Sequence, residues 1–360
     1  MADTVTAPAG RTGRAVRARA RANGRQHFSR GVVMTRTPLR ISFAGGGTDL
    51  ASYYEREYGC VFSTAVSHYI YVTVKRHSEV FNEPIRLNYS RSEEVHHVDE
   101  LQNDIARECL KFLEIEPPIY ISTVGDMPAS TGLGGSSAFA VGLLNALHAY
   151  RGERVSAGQL AEEACHIEID VLEQPIGKQD QYAAAFGGIN LLTFHASGGV
   201  TVEPQRVPAH ILEEIFDWVM LFWTGHQRDT DSVLAEQKAR TGDKLAQLNA
   251  MRDQAHALQE LAHAGGLSPE TVGHMLHEGW KLKRTLASRI SNDRIDHWYE
   301  RAMAAGAVGG KLAGAGAGGF LLFVVAPERQ QAVREALGDM IEVHTRHEAH
   351  GSQVVLPFMA

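Results

Sequence analysis

The stretch "MPASTGLGGSSAFAVGLLNAL", Met127 to Leu147, sets two hydroxyls and three glycines directly before a run of good helix formers. The first amides of a helix have no partner within it, and the helix dipole is positive at that end. Glycines there let an anion approach the amides closely. Upstream, "PPIYISTV" (117–124) is rich in β-branched residues and reads as a strand. Strand, small-residue loop and helix together are the context of a phosphate cradle.

Two established phosphate patterns do not apply. No G-x-x-x-x-G-K-[ST] occurs, so the loop is not of the Walker type. Gly314, Gly316 and Gly319 spell G-x-G-x-x-G inside "KLAGAGAGGF" (311–320). A strand-like run follows that match instead of a helix, so the dinucleotide fingerprint lacks its context. The protein-kinase motif set is absent as well.

At 360 residues the chain exceeds one ordinary core, which favours two domains. Its 44% hydrophobic and 21% charged residues are those of a soluble globular protein. No apolar run approaches a membrane span; "DWVMLFWTG" (217–225) and "GFLLFVVA" (319–326) read as buried strands. Cys60, Cys109 and Cys165 are far apart and odd in number, which suits a reduced cytoplasm and gives no zinc spacing. None of the 18 histidines falls in a ligand spacing.

Charge is unevenly spread. Residues 1–33 hold seven arginines against Asp3 alone, whereas the whole chain carries −7. The tail lacks apolar periodicity and is expected to be a disordered basic extension. Met34 directly precedes the first strong strand, as it would if it were the true start. A nucleic-acid arm is disfavoured by the scarcity of aromatic residues and the acidic body.

Further along, "RISFAG" (40–45), "VFSTAVSHYIYVTVKR" (61–76) and "IRLNYS" (85–90) read as strands. Leu101, Ile105, Cys109 and Phe112 recur at helical spacing. Ser156 with Gln159 forms a capping-box pattern, and Leu160, Ala164, Ile167 and Val171 then share one apolar face. Glu168 adjoins that face, where a carboxylate is costly without a partner. A turn-rich loop, "EQPIGKQDQY" (173–182), precedes a strand in "GGINLLTF" (187–194). Beyond residue 216 a strand gives way to helical stretches over 229–263, 268–289 and 295–305. The second glycine segment, a strand, a helix from Pro327 and a last strand near "QVVLP" (353–357) complete the chain. A boundary falls between 205 and 215, giving units 34–210 and 211–360. Strands and helices do not alternate regularly, so the expected class is α+β.

Three segments in order carry a resemblance: "TPLRISFAGGGTDL" (37–50), "PASTGLGGSSA" (128–138) and "KLAGAGAGGF" (311–320). Together they resemble the GHMP kinase superfamily, over about Thr35 to Pro357. "PIGKQDQYAAAFGGIN" (175–190), "TGHQR" (224–228) and "ISNDRIDHWYERAMAAGAVGGKLAGAGAGGF" (290–320) look like the D-glycero-α-D-manno-heptose 7-phosphate kinase group within it. The resemblance implies a ribosomal-protein-like nucleotide and catalytic domain over 34–210 and a ferredoxin-like one over 211–360. It implies ATP-dependent, Mg²⁺-dependent transfer to the anomeric hydroxyl of a heptose 7-phosphate. A kinase of an unphosphorylated sugar such as fucose, a non-catalytic sugar and nucleotide sensor, and a decarboxylase of the same superfamily are the alternatives.

Phosphoryl transfer needs neutralised phosphates, a metal bridge and a group near the acceptor proton. The implied nucleotide site is Pro128, Thr131, Gly132, Leu133, Gly134, Gly135, Ser136 and Ser137. Ser137, or Ser136 in its place, and Glu168 would hold Mg²⁺, which favours hard oxygens. Asp180 would accept or orient the acceptor hydroxyl's proton, with Arg40 offsetting charge in the transition state. Gly46, Gly47, Thr48 and Asp49, which follow Gly45, stand where galactokinase-type chains read E-H-T-D after a glycine, and the change of Glu-His to Gly-Gly argues against galactose. With Gly314 and Gly316 they form the expected substrate side. Lys178, Arg228 and Arg289 are candidate anchors for a sugar phosphate. The expected partners are ATP and a sugar phosphate, with neither nucleic acid nor membrane, and the protein a cytoplasmic monomer or homodimer.

Overall fold

The computed structural model describes residues 5–6, 31–129, 131–225, 230–338 and 340–356. Its backbone is one nine-stranded and one four-stranded sheet, each covered by helices. Of the expected extension, Val5–Thr6 (β1) and residues 31–33 are described; the rest of 1–33 lies outside the described residues.

The large sheet is organised around its longest strand. Val32–Ala44 (β2) pairs antiparallel with the 18-residue Gly59–Arg76 (β3). These are the β-branched and aromatic runs legible in the sequence, alternating in pitch where one face is covered. Ile85–Asn88 (β4), Ser92–Val95 (β5) and Ile119–Gly125 (β6) extend one end of β3, and Ile189–Phe194 (β7) with Val200–Pro204 (β8) the other. β4 and β6 run parallel. β1 pairs with the edge of β8.

The helix Gly135–Tyr150 lies on β2 and β3 and is buried nearly all round. That explains why its sequence shows little amphipathic pattern. Ser156 caps the helix Ala157–Cys165 by accepting from Gln159 N–H at 3.1 Å. The capping box is only half made, because the Gln159 amide turns to Glu163 Oε1 at 2.8 Å. The expected single helix through Val171 instead widens into a π-helical turn over His166–Val171. Such turns recur at functional sites, and this one carries Glu168.

The small sheet comprises Val219–Trp223 (β9), Ala307–Leu312 (β10), Phe320–Val325 (β11) and Ile341–Val343 (β12), in order β10-β11-β9-β12 and antiparallel throughout. With its intervening helices this is the ferredoxin-like β-α-β-β-α-β arrangement. The expected helical stretch 229–263 is divided: Thr230–Ala239 and Leu245–Ala264 are separated by a tight turn over Thr241–Lys244. The stretch expected to run to 289 ends as Pro269–Lys283.

The chain does not remain in the second unit. Gln353–Leu356 (β13) pairs with β2 in the large sheet, so the last strand of the 211–360 segment completes the sheet of the first. One core cluster runs through both halves, with Phe320, Leu322 and Val324 packed in the same cluster as Ile41 and Val72. No helix among the described residues is long and apolar enough to cross a membrane.

Candidate active site

Gly134 precedes the helix Gly135–Tyr150 in a left-handed conformation, φ 79°, and no side chain among the described residues caps that end. The first amides of the helix are therefore left without a capping acceptor. They open on a cleft of about 300 Å³ between the two sheets, whose wall includes Thr131, Gly132, Gly134, Gly135, Ser136 and Ser137. Exposed Pro128 and fully buried Leu133 do not line it. The Leu133 carbonyl instead accepts the Arg40 backbone N–H at 3.0 Å, fastening the loop to β2.

Asp180, in the first turn of the helix Gln179–Phe186, lies on the same cleft. Arg40, on β2, grips it with both arms of its guanidinium: Nε donates to Oδ1 at 2.6 Å and Nη2 to Oδ2 at 2.7 Å. The third arm, Nη1, donates to the Gly132 carbonyl at 2.7 Å. Arg40 is 4% exposed, so this fork is fixed by its surroundings. One buried side chain thus sets both the carboxylate and the glycine loop.

Behind the loop stands Glu168, fully buried and without a cationic partner among the described residues. Ser136 Oγ donates to its Oε1 at 2.8 Å and Gln181 Nε2 to its Oε2 at 2.7 Å. Burial pushes its pKa up to about 7, against the opposing hydrogen bonds from Ser137, Ser136 and Gln181. A serine hydroxyl and a carboxylate are hard oxygen donors, and a buried carboxylate held only by neutral groups fits a divalent cation. Both hydroxyls face Glu168, so Ser136 and Ser137 remain equal candidates.

On the acceptor side, Gly46, Gly47, Asp49 and Gly314 line the cleft. Several expected residues do not. Thr48 is fully buried, its hydroxyl donating to the Gly45 carbonyl at 2.8 Å and accepting from Cys60 N–H at 2.9 Å. It braces the loop. Lys178 turns to the Gly198 carbonyl at 2.7 Å and lies over the Tyr54 ring. Gly316 packs against the Ile290 backbone, and Arg289 is exposed away from the cleft. Arg228 lies outside the described residues. Asp49 is 3% exposed and accepts the backbone N–H groups of Gly47 at 2.8 Å and Gln179 at 3.4 Å. Burial and then the neighbouring Asp180 charge raise its pKa.

The sequence reading missed Lys283, Gln179 and Gln237, all on the cleft wall. Lys283 ends the helix Pro269–Lys283 and donates to the Gly314 carbonyl. Burial lowers its pKa to about 8; Arg40 adds to the lowering, while Asp49 and Asp180 oppose it. Nearby, buried Lys311 donates to the Ser42 carbonyl and to Ser42 Oγ, the latter at 3.0 Å. Its pKa is held well below the usual range by burial and by the charges of Lys283 and Arg40. A lysine in a helix's last turn reads in sequence as a dipole partner, so nothing local marked Lys283.

A loop of exposed helix amides, a fixed carboxylate beside it and buried cations around both are the parts a phosphotransferase to an alcohol requires. Residues 100–188 match GHMP kinases N terminal domain, and residues 255–342 match GHMP kinases C terminal. The D-glycero-alpha-D-manno-heptose 7-phosphate kinase of Campylobacter jejuni is 30% identical over 316 residues, covering 85% of this chain and 93% of that protein. A solved D-glycero-D-manno-heptose 1-phosphate kinase of Bacteroides thetaiotaomicron superposes with TM-score 0.72 at 25% identity, over 89% of this chain and 98% of its own. A second solved structure, from Campylobacter jejuni, superposes with TM-score 0.69 at 27% identity, over 90% of this chain and 98% of its own. The chain belongs to the GHMP kinase family, and it is an ATP-dependent carbohydrate kinase.

Proposed function

We propose that the protein transfers the γ-phosphoryl group of ATP to the anomeric C1 hydroxyl of D-glycero-D-manno-heptose 7-phosphate, giving the 1,7-bisphosphate. The observation that carries this reading is the fork of Arg40 across Asp180 and the Gly132 carbonyl. It puts a fixed carboxylate within one side chain of the loop that would receive the triphosphate. The heptose phosphate kinases of Campylobacter jejuni and Bacteroides thetaiotaomicron support the choice of sugar.

In this mechanism the uncapped amides of Gly134, Gly135 and Ser136, with Gly132, bind donor phosphates. Asp180 accepts or orients the proton of the acceptor hydroxyl. The hydroxyl oxygen bonds to phosphorus as the bond to the ADP oxygen breaks. Arg40 and Lys283 offset the negative charge on the phosphoryl oxygens. Ser136 or Ser137 and Glu168 would hold Mg²⁺, which when bound neutralises phosphate charge.

A second reading, a kinase of an unphosphorylated sugar, is favoured by one observation. Neither Lys178 nor Arg289 reaches the cleft, so neither anchors a 7-phosphate there. ADP release with phosphorylated and free heptoses and hexoses, with NMR locating the new phosphate, separates the two. Dependence on the 7-phosphate supports the first reading; equal turnover of the free sugar overturns it. Asp180→Ala is expected to lower turnover at least about a hundredfold while ATP still binds. Unchanged turnover would remove Asp180 from the mechanism.

A further inference from the structure

We propose that the side-chain amides of Gln179 and Gln237 read hydroxyls of the acceptor sugar above Gly46 and Gly47, and so determine which sugar is accepted. The proposal rests on the sugar-kinase reading above and deepens it.

Buried polar atoms in folded proteins are nearly always paired, so an unpaired one calls for a reason. Gln179 Oε1 and Gln237 Nε2 are buried atoms with no hydrogen-bond partner among the described residues. Both residues line the cleft. Gln237, on the helix Thr230–Ala239, is 4% exposed, so water does not freely satisfy its amide. Gln179 stands one residue before Asp180, at the start of its helix.

The two amides converge on the same short loop. A Cβ at Gly46 would lie 3.8 Å from Gln179 Nε2, and one at Gly47 would lie 2.5 Å from Gln237 Nε2. Gly47 also has φ +102°, a conformation that side chains rarely adopt. Bare backbone at 46 and 47 therefore lets the two amides lie against this loop at the cleft wall.

Other polar groups of the loop are committed elsewhere. Both carboxylate oxygens of Asp49 accept backbone N–H groups, and the Thr48 hydroxyl is held by backbone. The amides of Gln179 and Gln237 differ in that each keeps a buried polar atom with no partner among the described residues. A carboxamide offers one donor end and one acceptor end, which matches a hydroxyl rather than an anion. A site built this way discriminates strongly against a sugar lacking the hydroxyl, because the amide then stays unpaired.

The test is kcat/KM for D-glycero-D-manno-heptose 7-phosphate and its monodeoxy analogues, in wild type, Gln179→Leu and Gln237→Leu. Each variant is expected to lose about tenfold to a hundredfold with the parent sugar, with the KM for ATP unchanged. Each should also become indifferent to one deoxy position that costs the wild type a similar factor. That coupling is a readout that a merely structural role would not move. Gln237→Asn, which keeps the amide but shortens its reach, is expected to behave as Gln237→Leu does and serves if the latter does not fold. Variants that discriminate the whole set as wild type does would overturn the proposal, as would a loss confined to ATP binding. A wild type active on the parent sugar, with variants unchanged, sinks this proposal alone. A wild type that phosphorylates no sugar in the set sinks the choice of heptose 7-phosphate as acceptor, and this proposal with it.

Discussion

Gly132 and Gly314 meet backbone to backbone across the seam between the two halves. A Cβ on Gly314 would lie 2.3 Å from the Gly132 Cα, and one on Gly132 would lie 2.5 Å from the Ala313 carbonyl oxygen. Both residues have positive φ, 82° and 70° respectively. The loop that opens the helix Gly135–Tyr150 is thus positioned by the second glycine segment, and only residues without side chains allow the approach. Gly314→Ala is expected to destabilise the protein by about 1–3 kcal/mol, the usual range for overpacking. The KM for ATP should rise with it. Urea unfolding and steady-state kinetics check both, and an unchanged midpoint would show that the seam opens freely.

Arg40 serves Asp180 and Gly132 through three separate donors. A lysine keeps the charge but cannot fork. Arg40→Lys is therefore expected to lower kcat by roughly tenfold to a thousandfold, the scale of losing a preorganised donor. The stability change should be smaller than that of Arg40→Met, which leaves the Gly132 carbonyl and the carboxylate without their donor. Equal kcat in wild type and Arg40→Lys would reduce Arg40 to a point charge.

Burial disfavours the charge of Lys283 and lowers its pKa to about 8. Its ammonium form is lost as pH rises through that value. The profile of kcat/KM, which reports the free enzyme, is expected to fall above about pH 8. Lys283→Arg should move that alkaline limb upward, since guanidinium stays charged. Lys283→Met should lower kcat at every pH. An alkaline limb unmoved in Lys283→Arg would assign it to another group.

His148, 3% exposed, bridges Glu153 and Glu163 with both ring nitrogens at 2.7 Å. Burial lowers its pKa, but the hydrogen bonds and charges of the two glutamates outweigh that and raise it above 6.5. A folded pKa above the unfolded one means that the folded state binds the proton more tightly. The stabilisation is complete below the unfolded value and is lost as pH rises through the raised one. The difference in Tm between wild type and His148→Gln should therefore shrink as pH rises from 6.5 into the alkaline range. A difference constant across that range would show that His148 acts by packing alone.

The sequence by itself determined the elements and the loop. Long β-branched strands, a helix opened by Gly134 and Gly135, and a second glycine segment are local patterns, because each follows from backbone conformation and side-chain periodicity over a few residues. Arg40, Asp180 and Glu168 stand out by their place in segments that resemble the family's motifs, not by backbone pattern. Tertiary structure decided what distance in the chain hides. It closed the seam between Gly132 and Gly314, returned β13 to the first sheet, and turned Thr48 and Lys178 away from the cleft. It also brought Lys283 and Gln237 in from helices whose composition is ordinary. Burial and pairing are properties of what packs against a side chain, and that neighbour lies tens to hundreds of residues away: Arg40 finds Asp180 across 140 residues.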